Sequence, residues 1–182
     1  MNKIKKIIYV IERKIIKIVD CFSSRIYMKL YISYLRKIGI NIDGTPRYIH
    51  PSVMFDGEGY KKTYIGDNVV ISKGVLLLNH DYSITCGLRT IGRKINHEAY
   101  WLKNIEIKNN VFIGANSIIL PGTVIENNCI IGAGTVVKGT ISENSIIVGN
   151  PAKKVADVLE WTEKKEIENE YLFERKCFDS KW

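Results

Sequence analysis

IKNNVFIGANSIILPGTVIENNCIIGAGTVV, residues 107–137, returns a β-branched aliphatic side chain at every sixth position: Ile107, Ile113, Ile119, Ile125, Ile131 and Val137. Four positions after each comes a small or β-branched residue, in the series Val111, Ser117, Thr123, Cys129, Thr135 and Ile141. Asn or Gly fills the places between, at Asn109, Asn110, Asn116, Gly122, Asn127, Asn128 and Gly134, and Gly follows the aliphatic at Gly114 and Gly132. A helix repeats near 3.6 and a half-buried strand at 2, so strict recurrence at six fits neither. It fits a short strand followed by a turn that sends the same side chain back inside each time. Three such hexads make one triangular coil. Coils stack with backbones about 4.8 Å apart, which lays each aliphatic over the one a coil below.

The pattern extends toward the N-terminus. Ile65, Ile71 and Leu77 keep the six-residue phase, with Val69 and Val75 in the small slot, and Val53 is in phase while Gly59 breaks it. The first coil is therefore expected to be irregular. Between the two blocks, residues 81–104 hold no hexads. They carry Arg89, Arg93, Lys94, His97, Tyr100 and Trp101. A long excursion inside a strict repeat points to a functional loop.

Both ends read as helices. Ile4, Ile7, Ile8, Ile11, Ile15, Ile18 and Phe22 lie at helical spacing over 4–22, with Lys14 and Lys17 on the flanks. The tail from Val155 to about Lys176 carries Glu/Lys pairs and reads as a partly solvated helix behind Pro151. The expected organisation is a basic helical segment over 1–48, a mainly β coil domain over 49–152 with an excursion at 81–104, and a C-terminal helix over 153–182.

Composition excludes several classes. Of the 182 residues, 46% are apolar and 25% charged, which suits one folded domain. The net charge of +8 belongs wholly to residues 1–40, which hold ten Lys/Arg against two acids, whereas residues 41–182 carry 17 of each sign. A charge confined to one end does not mark a nucleic-acid binder. Cys21, Cys86, Cys129 and Cys177 have no zinc-site spacing, and they read as reduced thiols of a cytoplasmic protein. The apolar run Ile7–Ile11 is too short for a signal peptide. The longest charge-free window, Asn109–Ile125, is broken by Asn, Gly and Pro, so no membrane span is expected.

Three local motifs accompany the hexads: VFIGAN at 111–116, LPGTVI at 120–125 and VGNPAK at 148–153. With them, the stretch from Ile65 to Val148 resembles the hexapeptide-repeat acyltransferases, in the branch with maltose, galactoside, nodulation-factor and polysaccharide O-acetyltransferases. The resemblance implies a left-handed parallel β-helix; parallel crossovers are otherwise right-handed, so the hand comes from the resemblance alone. It implies acetyl transfer from acetyl-CoA to a sugar or glycan-precursor hydroxyl without metal, and a homotrimer whose active sites lie between neighbouring prisms. The family's general base matches His80, with Asn79 and Asp81 beside it as further catalytic candidates. Asp81 or a backbone carbonyl would hold the second ring nitrogen. The positions matching the CoA groove are Phe112, Ala115, Ala133, Gly134 and Thr135, with Lys138 and Lys153 toward the phosphates. Lys138 sits one residue away from the family's usual lysine.

His97, Tyr100 and Trp101 are candidates for the acceptor, while His50, before Pro51, reads as structural. The sugar-gripping residues of maltose-type enzymes have no clear counterparts, and Asp56-Gly57-Glu58-Gly59-Tyr60 stands in their place. Other readings are N-acetylation of an amino sugar or other amine, and a trimeric β-helix scaffold without catalysis. The basic N-terminal helix is expected to pack beside the prism; the alternative is docking on anionic lipid at the inner face of the membrane.

Overall fold

The computed structural model describes residues 3–173. Cys177 and the end of the tail read as helical lie outside the described residues. The core is a left-handed parallel β-helix with three faces. The first face stacks Asn41–Ile42, Thr63–Ile65, Ile105–Ile107, Val124–Ile125 and Thr140–Ile141. The second stacks Tyr48–Ile49, Val70–Ile71, Phe112–Ile113, Ile130–Ile131 and Ser145–Val148. The third stacks Met54–Phe55, Leu76–Leu77, Ile118–Ile119 and Val136–Val137. Register follows the hexad phase, as in Ile65↔Ile107, Ile71↔Ile113 and Leu77↔Ile119. The aliphatics form three buried columns.

Corner chemistry explains the polar half of the repeat. Asn68, Asn110, Asn116, Asn128 and Asn144 all take positive φ, between 52° and 59°. Asn tolerates that left-handed region better than other non-Gly residues. Three of the amides also stack: Asn68 Nδ2 donates to Asn110 Oδ1 at 2.8 Å, and Asn110 Nδ2 to Asn128 Oδ1 at 2.9 Å. In the small slot, Ser117 donates to the Gly132 carbonyl at 2.9 Å and Thr123 to the Leu120 carbonyl at 2.7 Å. These buried hydroxyls are satisfied by backbone oxygens, so they cost the core little.

The ends depart from expectation. Helix α1 spans Lys3–Val19, and a second helix, α2, spans Ser24–Ile38 within the stretch read as one helical segment. The Ser23 side chain accepts from the Ile26 N–H, and Gly39 ends α2 at φ 109°. The coils start at Asn41 rather than at 49, because the irregular first coil hides its opening rung from a six-residue count. Helix α2 buries Tyr27, Met28, Tyr31, Ile32, Tyr34 and Leu35 over that coil, and Tyr27 donates its hydroxyl to the Ile49 carbonyl at 2.7 Å. It caps the open end of the prism.

The excursion is organised too. His80–Asp81 and Trp101–Leu102 form an antiparallel ribbon, and α3 spans Ser83–Thr90. The tail is not helical from 153: Lys153–Asp157 pairs antiparallel with Ser145–Val148 before α4, Val158–Glu168, begins behind the Asp157 cap.

Candidate active site

One corner of the prism, between the third and first faces, collects the reactive side chains. It holds residues 56–62 of the first coil and, one coil above, the base of the excursion. Asp56 follows Phe55, which is paired with Leu77, so its side chain lies beneath residues 78–80. The Asp56 carboxylate is buried and accepts four hydrogen bonds. Oδ2 takes the His80 ring Nδ1–H and the backbone N–H groups of Asn79 and His80, the last two at 3.0 Å each. Oδ1 takes the Glu58 N–H at 3.2 Å. A carboxylate held by that many donors has one orientation, and it fixes the imidazole with the proton on Nδ1 and the lone pair on Nε2.

That lone pair faces outward. The His80 side chain is 30% exposed, and no described residue hydrogen-bonds Nε2. Aromatic rings flank it: Tyr82 and Tyr100 meet the imidazole edge-on at centroid distances of 5.3 and 6.4 Å, and touch each other at 4.9 Å. The ribbon explains this grouping, since Tyr82, His80, Tyr100 and Leu102 share one side of it. Desolvation, reinforced by Glu58, raises the Tyr82 phenol above its ordinary range.

Asn79 holds the corner together from inside. Fully buried, it accepts from Thr63 Oγ1 at 2.9 Å and donates to the Lys62 and Lys103 carbonyls at 3.2 and 3.0 Å. Its own carbonyl accepts the Lys103 N–H at 2.9 Å. It touches no solvent and therefore no substrate, which corrects its expected place among the catalytic groups: it is a positioning residue. It also explains why Gly59 interrupts the hexads. A Cβ at Gly59 would overlap the Asn79 side chain. Gly59→Ala is expected to destabilise the fold by about 1–3 kcal/mol through overpacking and to displace His80, read as a lower denaturation midpoint together with lost activity.

Asp81 does not orient His80. It is exposed and accepts the Ser83 N–H at 2.7 Å at the entrance to α3, and that bond holds its carboxyl below the usual range. Strand alternation turns it to the opposite side of the ribbon from the imidazole. Trp101 is on that opposite side as well, with Lys103 Nζ over its ring at 5.3 Å, so Tyr100 joins His80 and Trp101 does not. His97 is exposed, and no described hydrogen bond or ring contact ties it to His80. Its neighbour Glu98 pairs with Arg89 at 2.6 Å. His50 accepts the Ser52 N–H at 3.1 Å in a tight turn.

The residues matched to the CoA groove lie elsewhere. Phe112 is an outward side chain of the second face; Ala115, Ala133 and Gly134 line the corner between the second and third faces, with the Gly134 N–H bonded to the Ala115 carbonyl at 2.8 Å. The Thr135 side chain is buried and accepts the Gly149 N–H at 3.2 Å, so only its backbone can serve a groove. Lys153 is exposed at the start of the antiparallel strand, and Lys138 stands on the His80 corner, close enough to help lower the Asp81 carboxyl.

Two residues escaped the sequence reading. Tyr82 could have been found as the second residue beyond His80 on an alternating ribbon. Asp56 was beyond the count, because the phase of Val53 sets position 60 beneath 78, whereas the longer first coil pairs Phe55 with Leu77 and brings Asp56 there. On the far side of Asp56 opens a cavity of about 690 Å³, walled by Tyr9, Tyr34 and Tyr60 and carrying Arg13, Lys14 and Lys17. Burial, with the nearby Arg13 charge, lowers the Lys17 ammonium below its ordinary range. No group of three or more metal-ligating side chains occurs among the described residues.

The six-repeat model of bacterial hexapeptide transferases matches residues 104–139. Protein CapG of Staphylococcus aureus is 40% identical over 135 residues, which are 74% of this chain and 75% of that protein. A solved maltose O-acetyltransferase from Clostridium difficile 630 matches with a TM-score of 0.51 at 27% identity, over 83% of this chain and 88% of that one. A galactoside acetyltransferase solved in complex with coenzyme A shares the fold, with a TM-score of 0.54 at 19% identity over 91% and 85% of the two chains. With the family model on its central hexads and a relative matched over three quarters of its length, the chain belongs to the hexapeptide-repeat acetyltransferases.

Proposed function

We propose that the protein transfers the acetyl group of acetyl-CoA to a hydroxyl of a sugar or glycan precursor, with His80 as general base. The observation that carries this reading is the buried Asp56 carboxylate on His80 Nδ1, which leaves Nε2 as an outward lone pair between two tyrosine rings. Nε2 takes the proton of the acceptor hydroxyl as its oxygen attacks the thioester carbonyl. The tetrahedral intermediate collapses with loss of the CoA thiolate, which receives the proton from Nε2. Asp56 holds the ring through Nδ1–H and stabilises the imidazolium between the two transfers.

The base stands on one corner of the prism and the groove positions Ala115, Ala133 and Gly134 on another. A homotrimer, in which a neighbouring copy lays its groove against the His80 corner, resolves that separation. Phe112 and the backbone at 133–135 would then flank the pantetheine arm, with Lys153 at the phosphate end. Acetyl-CoA is a cytoplasmic metabolite, and the reaction belongs in that compartment.

The acceptor binds at the exposed corner, where Tyr82 and Tyr100 flank Nε2 and offer ring faces to a sugar. The test is CoA-thiol release by purified protein with neutral sugars, phosphorylated and nucleotide sugars, and amino sugars. Release with at least one of the sugar acceptors is the expected result. Release with amines alone would replace the reading by N-acetylation, and no release with any acceptor, together with no acetyl-CoA binding by calorimetry, would favour a scaffold.

A further inference from the structure

Helix α1 is mounted the unexpected way round. The residues it turns toward the protein are Ile16, Tyr9, Val19 and Arg13: Ile16 is buried, Tyr9 meets Tyr34 edge-on, and Arg13 donates to the Val53 carbonyl at 3.0 Å. The apolar stripe found in the sequence is on the other side. Ile7, Ile11, Ile15 and Ile18 are each more than half exposed, and Phe22, just past the helix, is 84% exposed. Ile26 and Leu30 of α2 continue the patch, and a groove of about 590 Å³ runs between the helices, lined by Ile8, Ile11, Ile15 and Leu30. Apolar surface of this extent on a folded domain marks an interaction site.

Charge says what covers it. Residues 1–40 hold the whole +8 of the chain. Arg25 and Lys29 are exposed on the flank of α2 beside Ile26 and Leu30, where they also line a groove against Pro46 and Arg47, and Lys37 is the one cation of the α1–α2 groove with an ion-pair partner among the described residues, Glu12 at 2.8 Å. A second copy docked face to face would set two cationic rims against each other. A surface of anionic headgroups over an apolar interior complements both features at once. Neither helix is long and apolar enough to cross a membrane.

We infer that the outward face of α1 and α2 docks on the surface of an anionic phospholipid membrane. The helix pair lies in the plane of the interface, with the isoleucines and Phe22 among the acyl chains and Arg25 and Lys29 at the headgroups. The inference stands whether or not the acceptor is a sugar.

Vesicle co-sedimentation of the full chain tests it. Phosphatidylglycerol vesicles are expected to carry the protein down and phosphatidylcholine vesicles to leave it in solution. The double variant Ile11→Asp/Ile15→Asp, whose side chains are each more than half exposed, is expected to lose at least about tenfold in partitioning while keeping its helical circular dichroism. Lys29→Ala and Arg25→Ala should each lower partitioning about fivefold. Indifference of the wild type to phosphatidylglycerol would overturn the inference. So would a solution mass that falls in the aspartate variant, since the patch would then be covered by a second copy.

Discussion

His80→Ala is expected to lower kcat for acetyl transfer by about a hundred- to ten-thousand-fold, the range over which a positioned general base contributes. The KM for acetyl-CoA stays near that of the wild type, because the groove positions of a neighbouring copy, and not the imidazole, hold the donor. The fold is also kept: the imidazole is partly exposed, and the backbone N–H groups of Asn79 and His80 still reach Asp56. Steady-state kinetics with saturating acetyl-CoA reads the effect directly. Undiminished turnover with an authentic acceptor would remove His80 from the mechanism.

Asp56→Asn is expected to produce a loss of comparable size, at least about a hundredfold in kcat, without changing the number of heavy atoms at the corner. The carboxylate accepts four donors. An amide presents one oxygen and one NH₂ group, so either a backbone N–H loses its acceptor or the NH₂ faces Nδ1. In the second arrangement Nδ1 accepts, the ring proton moves to Nε2, and the atom that should receive the hydroxyl proton already carries one. Because Asp56 acts through His80, the double variant His80→Ala/Asp56→Asn should be no slower than His80→Ala alone. A further loss in the double variant, or a pH–rate profile in Asp56→Asn identical to that of the wild type, would show that Asp56 does not work through the imidazole.

The repeat was legible because one phase of six serves three faces: Ile107, Ile113 and Ile119 lie on different sides of the triangle and keep one spacing. The candidate base came from the family resemblance, which marks His80 at the place where the phase stops. Its partner was not legible, because Gly59 breaks the count just where Asp56 needs it, and the glycine is there for Asn79, a residue in the next coil. Asp81 attracted attention by being adjacent in sequence, yet on a two-residue period adjacency places it on the wrong side. Periodicity also identified the apolar stripe of α1 but not its direction. A helical moment shows that two faces differ, whereas the direction of packing depends on the tyrosines of α2, which lie outside the window. The strand at Lys153–Asp157 was hidden for a similar reason, since its pairing partner is a hairpin away and its composition is that of a polar helix.

The clamp at the base of the excursion has a consequence for how such enzymes diversify. Asn79 and Lys103 join the two ends of the loop through backbone and side chain, so the coils above and below see a closed corner whatever lies between. Once the ends are held together, doubling the enclosed length costs only about 0.6 kcal/mol of chain entropy. The prism is therefore a socket into which loops of different length can be set, each bringing its own aromatic and charged lining to a base that stays in place.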